Sequence, residues 1–593
     1  MGWVVKLLRM LGLAGASGGM LALCFPPFDF GGLVWVGLMP LMAGLWAGGG
    51  EKRRGWFGLR WGWVAGLVFW AINLKWIGVV SGVGVWAMGG YLAVYFGLWG
   101  AFAATAGNPW RRKEAEGEAE GERDAFREAL RALGYASVLG LFWCGLEWVR
   151  GWMLTGFGWN GLGVAFHETP VIAQSAELVG VIGLAFLPVF LSAVLLQVSV
   201  RLFHEARSGK LRPHWDFGGT AILLVAVVVF GVWKLQHLPK GEVLPLKVLL
   251  VQLNIPQDAK EVLWPLEQVH GAYEEETLKG LAALEEVNAG KAEEGIESGE
   301  EVTLEGVDWV IWPESALKEW LFVTEDGQQA MGLFNRETIG RVMEAGSFTL
   351  MMGLNEIEAE EQGELLVGRE DGEFYNSLIA LPPGGEEVLS YRKHHLVIFG
   401  ETIPYVEQLS FLAWLFEQSA GVKYAGSFGV GVGSEPLRIP HEAAESGEVA
   451  VVPSICFEDT VPRLLRKVVL AGGQVIVNVT NDGWFRESEA AAQHFANARF
   501  RCIELRRPMV RSANTGVTAV VGVDGRATDV VTGEKRVLVD EAGSHFTRGN
   551  LYATVYVPVA GEITLYARFG DWFAALGLVI GMGWGVTRRL RRG

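Results

Sequence analysis

Two hydrophobic patterns alternate along the chain. Up to about residue 237, and again over the last two dozen residues, apolar positions persist for roughly 20 residues at a time without a polar face, the length that crosses a bilayer core. Such runs fall near residues 7–24, 31–48, 56–74, 79–106, 133–151, 171–200, 218–236 and 571–587. About eight spans are therefore predicted. The first run is not expected to be a cleavable leader, because Phe25-Pro26-Pro27-Phe28 is a poor cleavage site and a second apolar run follows it directly. Beyond residue 240 the pattern changes to short β-rich runs separated by helical stretches. Strands are predicted at Lys247-Val248-Leu249-Leu250-Val251, Trp309-Val310-Ile311 and Phe348-Thr349-Leu350-Met351-Met352. Others are expected at Val449–Val452, Val475–Val479 and Val517–Val521. Buried strands alternating with helices predict an α/β domain, layered as an αββα sandwich.

Charge orients the apolar runs. One set of connections carries Lys6 and Arg9, then Lys52, Arg53 and Arg54, then Arg111, Arg112 and Lys113. The set continues with Arg201, Arg207, Lys210 and Arg212, and ends with Arg588, Arg589, Arg591 and Arg592. The alternate connections carry only Lys75 and Arg150. Positive charge stays on the cytoplasmic side, so both termini are expected there and the soluble block on the far side. The expected domains are a bundle over 1–237, a soluble domain over 238–568, and a last helix with a basic tail over 569–593. The net charge of -16 gathers in the soluble block and argues against a nucleic-acid partner. Glu114–Arg131 reads as a solvated helix or loop, and the acidic, Gly-interrupted Glu285–Glu305 as a surface insertion.

Four cysteines in so long a chain are no disulfide framework. Cys24 and Cys144 lie in apolar runs, and Cys502 reads as a small core residue in a helical stretch. Cys456 differs: in Pro453-Ser454-Ile455-Cys456-Phe457-Glu458 it closes a strand beside charge. Glu314 closes another strand, after Trp312-Pro313, where partial desolvation would raise a carboxylate toward a working general base. Lys393 precedes the apolar Leu396-Val397-Ile398-Phe399, where an ammonium can lower a thiol pKa and stabilise an oxyanion. Each alone has a bland reading, as buried filler, exposed strand end or solvated lysine. Together they are the parts of acyl transfer through a thioester. No phosphate loop, paired CxxC or HExxH is present, so no metal and no cofactor is expected.

In this order the three sites resemble the Glu-Lys-Cys set of the nitrilase (carbon-nitrogen hydrolase) superfamily. The finer motifs resemble its membrane branch, the apolipoprotein N-acyltransferases. They are Asn254-Ile255-Pro256-Gln257, Trp312-Pro313-Glu314-Ser315-Ala316, Lys393 with His395-Leu396-Val397, Phe399-Gly400-Glu401, and Cys456-Phe457-Glu458. Asn481-Asp482-Gly483-Trp484-Phe485, Gln493-His494, Arg507-Pro508, Arg511-Ser512, Asn514–Ala519 and Tyr566-Ala567-Arg568 continue the match. With Cys24–Phe28 and Thr155-Gly156-Phe157 it covers essentially the whole chain.

The resemblance implies a nitrilase-like sandwich with Glu314 as base, Lys393 as oxyanion cation and Cys456 as nucleophile. Glu401 and Glu458 are implied as supporting acids, with Trp264, Phe457 and Trp414 as substrate-binding residues. Phe457 stands where many relatives have Tyr, Ile398 replaces a common proline, and Gly158 replaces another. The implied donor is a membrane phospholipid, the acceptor a diacylglyceryl apolipoprotein, and the place a bacterial inner membrane with the catalytic domain in the periplasm. Phe411-Leu412-Ala413-Trp414-Leu415-Phe416 is expected as an apolar arm entering the outer leaflet. A membrane-tethered amidohydrolase, with water resolving the acyl-enzyme, is the alternative reading. A catalytically dead scaffold is opposed by the intact triad. A transporter is opposed by the scarcity of ionisable residues in the spans.

Overall fold

The apolar runs fold as helices, and the long ones pack through their glycines. In Arg54–Asn73 and Gly82–Ala104, a Cβ added at Gly58 would lie 2.2 Å from the Gly100 carbonyl, and one at Gly62 would lie 2.3 Å from that of Phe96. Without a hydrophobic drive between helices in lipid, such close backbone approach supplies the packing. The structure is a computed structural model. It describes residues 2–48, 53–111, 125–209, 212–238, 241–257, 263–298, 306–363, 365–384, 388–398, 400–403, 406, 411–420, 426–529 and 532–590.

The chain divides into two units, Met1–His237 with Thr564–Gly593, and Leu238–Ile563. Among the described residues of the first unit, five helices are long and apolar enough to cross a membrane. They are Val4–Ala22, Gly82–Ala104, Ala125–Arg150, Phe186–Ser208 and Trp215–Gln236. Arg54–Asn73 and Trp572–Leu590 have comparable lengths, 20 and 19 residues, but are not among these five.

Two expected spans differ. The run at 31–48 is a 3-10 turn, Gly31–Trp35, followed by a helix of only 9 residues, Met39–Ala47. At 1.5 Å per residue that helix covers about 14 Å, well short of a bilayer core. Gly31, Gly32 and Gly37 loosen the segment, and Pro40 suits only a helix start. The run at 171–200 breaks where Gly180 takes φ 73°, and its membrane-length helix extends on to Ser208. Arg150, an exception to the charge pattern, is buried. It donates to the carbonyls of Phe157 (3.0 Å) and Trp159 (2.7 Å) and lies over the Trp70 ring.

The second unit is built on fourteen described strands. They are β1 (Val243–Gln252), β2 (Trp309–Ile311), β3 (Leu321–Thr324), β4 (Gln329–Met331), β5 (Thr349–Gln362), β6 (Leu365–Gly368) and β7 (Phe374–Leu381). There follow β8 (Leu389–Arg392), β9 (Leu437–Pro440), β10 (Glu448–Ile455), β11 (Val475–Thr480), β12 (Met509–Ala513), β13 (Ala519–Val521) and β14 (Gly549–Pro558). One sheet runs β14-β1-β2-β5-β3-β4, with β6 and β7 on β5 and β8 on β7; the other runs β13-β12-β11-β10-β9.

The continuous apolar run in β1 follows from this layering. Leu246, Val248 and Leu250 enter the core between the sheets, and Leu249 and Val251 enter the outer core with Val269 and Tyr273. A strand covered on both faces has no polar alternation to keep. The unit is thus an αββα sandwich. Helices Leu266–Ser298 and Leu333–Met343 contribute to the outer core of the first sheet. Helix Pro462–Leu470 packs on β10 of the second. The expected insertion at 285–305 is, as far as residue 298, the end of a 33-residue helix; residues 299–305 lie outside the described residues, as does most of 114–131. The strand expected at 517–521 is shorter and begins at Ala519.

Candidate active site

Three strand ends meet. Past β2 the chain stays alongside β5, with Trp312 N donating to Met351 O (2.9 Å), Gly353 N to Pro313 O (3.0 Å) and Ala316 N to Gly353 O (2.9 Å). Ser315, at φ 51°, then turns it away. The turn lies so close over β5 that a Cβ on Gly353 would stand 2.5 Å from Glu314 Cα. β8 delivers Lys393, whose N–H donates to Asn376 O on β7 at 2.8 Å. β10 delivers Cys456 at φ 52°, opening the 3-10 turn Cys456–Thr460. A left-handed non-glycine residue is strained and persists where its surroundings over-determine it.

Lys393, 1% exposed, places Nζ 2.7 Å from Glu401 Oε1 and 3.4 Å from Glu314 Oε1. Asn376 Nδ2 donates to the same two oxygens, at 2.8 Å to Glu314 and 2.9 Å to Glu401. Glu401 Oε2 accepts from Val397 N at 2.9 Å. Glu314 Oε2 is buried without a well-formed hydrogen bond, and a weak interaction with the Cys456 thiol is among those acting on Glu314.

Burial raises the Glu314 pKa against the opposing pull of Lys393. For Lys393, burial alone would favour the neutral amine, but the Glu401 and Glu314 carboxylates override it and the pKa rises. Glu401 is also desolvated, and there the Lys393 charge wins and lowers its pKa. Burial, then the Glu314 charge, push the Cys456 thiol up, while Lys393 pulls it down. The Cys456 thiol is held neutral beside a carboxylate of raised basicity, an arrangement suited to proton transfer between them.

Glu458 ties the cysteine turn to the lysine segment. Fully buried, it accepts from Ile455 N (2.8 Å), His394 N (2.7 Å), His395 N (2.9 Å) and the Tyr391 hydroxyl (3.1 Å). Burial raises its pKa to about 7, opposed by Lys393 and those backbone donors. A second buried cluster supports the same turn from behind. His494 Nε2 lies 2.9 Å from Asp459 Oδ1 and its Nδ1 lies 2.7 Å from Asp482 Oδ1, with Arg511 3.5 and 3.4 Å from their other oxygens. Burial would lower the His494 pKa, but the two aspartates raise it to about 9.

Glu314, Lys393, Cys456, Glu401 and Glu458 are therefore brought together. Phe457 borders them, its ring stacked on His395 at 5.9 Å. Trp264 packs on the outer core, with no hydrogen bond or ring contact to the five among the described residues. Trp414 stands 60% exposed on helix Phe411–Ala420, also without such a contact. Asn376, Tyr391 and Asp459 carried no expected role. The one sequence signal for Asn376 is the polar Asn376-Ser377 pair interrupting an otherwise apolar strand.

The residues 251–541 match the Carbon-nitrogen hydrolase family, and residues 17–194 match the Apolipoprotein N-acyltransferase N-terminal domain. Fold and site thus define a membrane enzyme with a carbon-nitrogen hydrolase domain. Over 576 residues the chain is 30% identical to the apolipoprotein N-acyltransferase of Geobacter metallireducens, covering 94% of each. It is 31% identical over 447 residues to that of Bradyrhizobium diazoefficiens, covering 75% of this chain and 72% of the relative. It is 27% identical over 596 residues to that of Rhizobium rhizogenes, covering 96% and 97%. The chain belongs to the apolipoprotein N-acyltransferase family, and it is an enzyme of the N-acyltransferase type.

Two outcomes follow from the geometry. His494 is held protonated above its ordinary 6.5, so its contribution to stability is complete below about pH 6.5 and is lost as pH rises through about 9. Thermal unfolding should show the wild-type midpoint falling from about pH 7 to about pH 10. His494→Gln should start lower, by about 3 kcal/mol or more, and lose that slope; an unchanged slope would contradict the assignment. Gly353→Ala should displace Glu314, costing about 1–3 kcal/mol by overpacking and lowering kcat more than tenfold (about 1.4 kcal/mol or more) with little change in KM.

Proposed function

We propose that the chain moves a fatty acyl group from a membrane phospholipid, through a thioester on Cys456, to the N-terminal amine of a diacylglyceryl apolipoprotein. The observation that carries the reading is the meeting of Glu314, Lys393 and Cys456 in one buried site of a chain that also holds a helical membrane unit. Glu314 takes the thiol proton as Sγ attacks the ester carbonyl, and the Lys393 ammonium faces the developing oxyanion. Collapse breaks the ester C–O bond, and Glu314 returns the proton to the lysophospholipid oxygen. The lipoprotein amine then attacks the thioester. Glu314 accepts the amine proton and passes it to the departing sulfur, leaving an amide and the free thiol.

Two substrates sharing one acyl-enzyme make the kinetics ping-pong. Glu401 and Glu458 act as positioning residues, the first for the ammonium and the second for the nucleophile turn. Water as acceptor is the alternative. The full-length likeness to relatives named as acyltransferases favours the amine.

The membrane unit answers a cost. Each acyl methylene is worth about 0.8 kcal/mol in lipid, so the site must meet the chain where it lies. In the proposed topology both termini face the cytoplasm and the soluble unit faces the periplasm. Exposed Phe411 and Trp414, at 58% and 60%, would dip into the outer leaflet, with Trp264 and Phe457 lining the acyl path.

The test is intact-mass analysis of the purified protein after incubation with phospholipid, beside Cys456→Ala. A fatty-acyl increment labile to hydroxylamine, present in wild type and absent from the variant, is expected. Wild type that stays unmodified beside intact lipid would remove the thioester step. Release of lysophospholipid that depends on added lipoprotein separates the amine acceptor from water.

A further inference from the structure

A buried hydroxyl beside Cys456 finds no well-formed hydrogen bond among the described residues. Thr480, the last residue of β11, is fully buried, and its Oγ1 has no well-formed hydrogen bond among the described residues. β10 and β11 pair in parallel with Ile455 opposite Val479, so the next residues along, Cys456 and Thr480, are neighbours across the ladder. Side chains two apart share a face of a strand, and Asn478, two residues before Thr480, already reaches Cys456 O at 3.2 Å. Burying a hydroxyl without a partner costs stability, whereas an apolar group of the same shape in its place is close to neutral or stabilising. Packing alone would thus be served better by valine.

We propose that the Thr480 hydroxyl donates a hydrogen bond to Cys456 Sγ and is a further catalytic residue of the thioester chemistry. This rests on Cys456 being the nucleophile. In the resting site the thiol proton faces Glu314 Oε2, while Thr480 donates to a sulfur lone pair. When the proton moves from Sγ to Glu314, Thr480 keeps its own proton, and its hydrogen bond strengthens onto the thiolate. When the S–C bond forms, the sulfur loses its charge and the bond weakens. The hydroxyl therefore favours the anionic sulfur of both transfers, opposing the burial and the Glu314 charge that push the thiol pKa up; a lowering interaction from Thr480 acts on that thiol.

The test uses the full chain in detergent and follows alkylation of Cys456 by iodoacetamide across pH, with Cys456→Ala as background for Cys24, Cys144 and Cys502. Thr480→Val should unfold at the same temperature as wild type or higher. Its alkylation should be about tenfold slower near neutral pH, with the profile displaced upward by about one pH unit. Thr480→Ser should follow wild type. If the valine variant does not fold, Thr480→Ala takes its place against serine. A folded variant lacking the hydroxyl whose profile overlays wild type would overturn the proposal, as would one slowed in acylation by phospholipid but not in alkylation. Failure of wild type to form any acyl adduct would instead sink the thioester reading, with the alkylation comparison still legible.

Discussion

The second unit is organised around the neutralisation of one ammonium. Lys393 is 1% exposed, and an isolated charge so placed would surrender its proton. It stays charged because two carboxylates lie against it, one from 79 residues upstream and one from 8 residues downstream. That requirement brings the end of β2, the end of β8 and the loop after Lys393 to one point. Asn376 then settles how the carboxylates are shared. By donating to one oxygen of each, it fixes which atoms serve the lysine and leaves Glu314 Oε2 without a well-formed hydrogen bond among the described residues. Attraction, hydrogen bonding and orientation are combined in a single buried cluster, where each is strengthened by the exclusion of water.

The strain at Cys456 is held from two sides. Glu458 ties the turn to the lysine segment through three backbone donors and a tyrosine hydroxyl. Asp459, the next residue, is locked to His494 and Arg511, and so to β12 and the turn at Asp482. Adjacent carboxylates thus point to opposite supports, one toward the reacting groups and one away. The alternation holds Cys456 in its left-handed conformation at the end of a parallel strand without leaving it free to relax.

Much of this was legible in sequence because the signals are local. Strand-long apolar runs closed by Glu314 and Cys456 marked their own ends, and helices of membrane length follow from composition. The misreadings have physical reasons. Hydropathy summed over 31–48 does not register that Gly31, Gly32, Gly37 and Pro40 interrupt the hydrogen-bond ladder, and the same holds for Gly180 within 171–200. The acidic stretch after residue 285 read as a surface insertion from its charge and glycines; as far as residue 298 it continues a helix whose earlier turns pack on the sheet. Asn376 stayed hidden because its role exists only across strands: its partners lie 62 and 25 residues away. Trp264 came from the resemblance and Trp414 from the apolar run Phe411–Phe416; among the described residues neither makes a hydrogen bond or ring contact with the charged cluster.

The pairing of β1 with β14 has a mechanical meaning. These are the first and last strands of the second unit, and they run antiparallel in register from Val243↔Pro558 to Gln252↔Gly549. The unit therefore begins and ends on neighbouring strands of one sheet, so its own two ends lie side by side. A force that parted the unit's own two ends would open that ladder from Val243↔Pro558 one rung at a time.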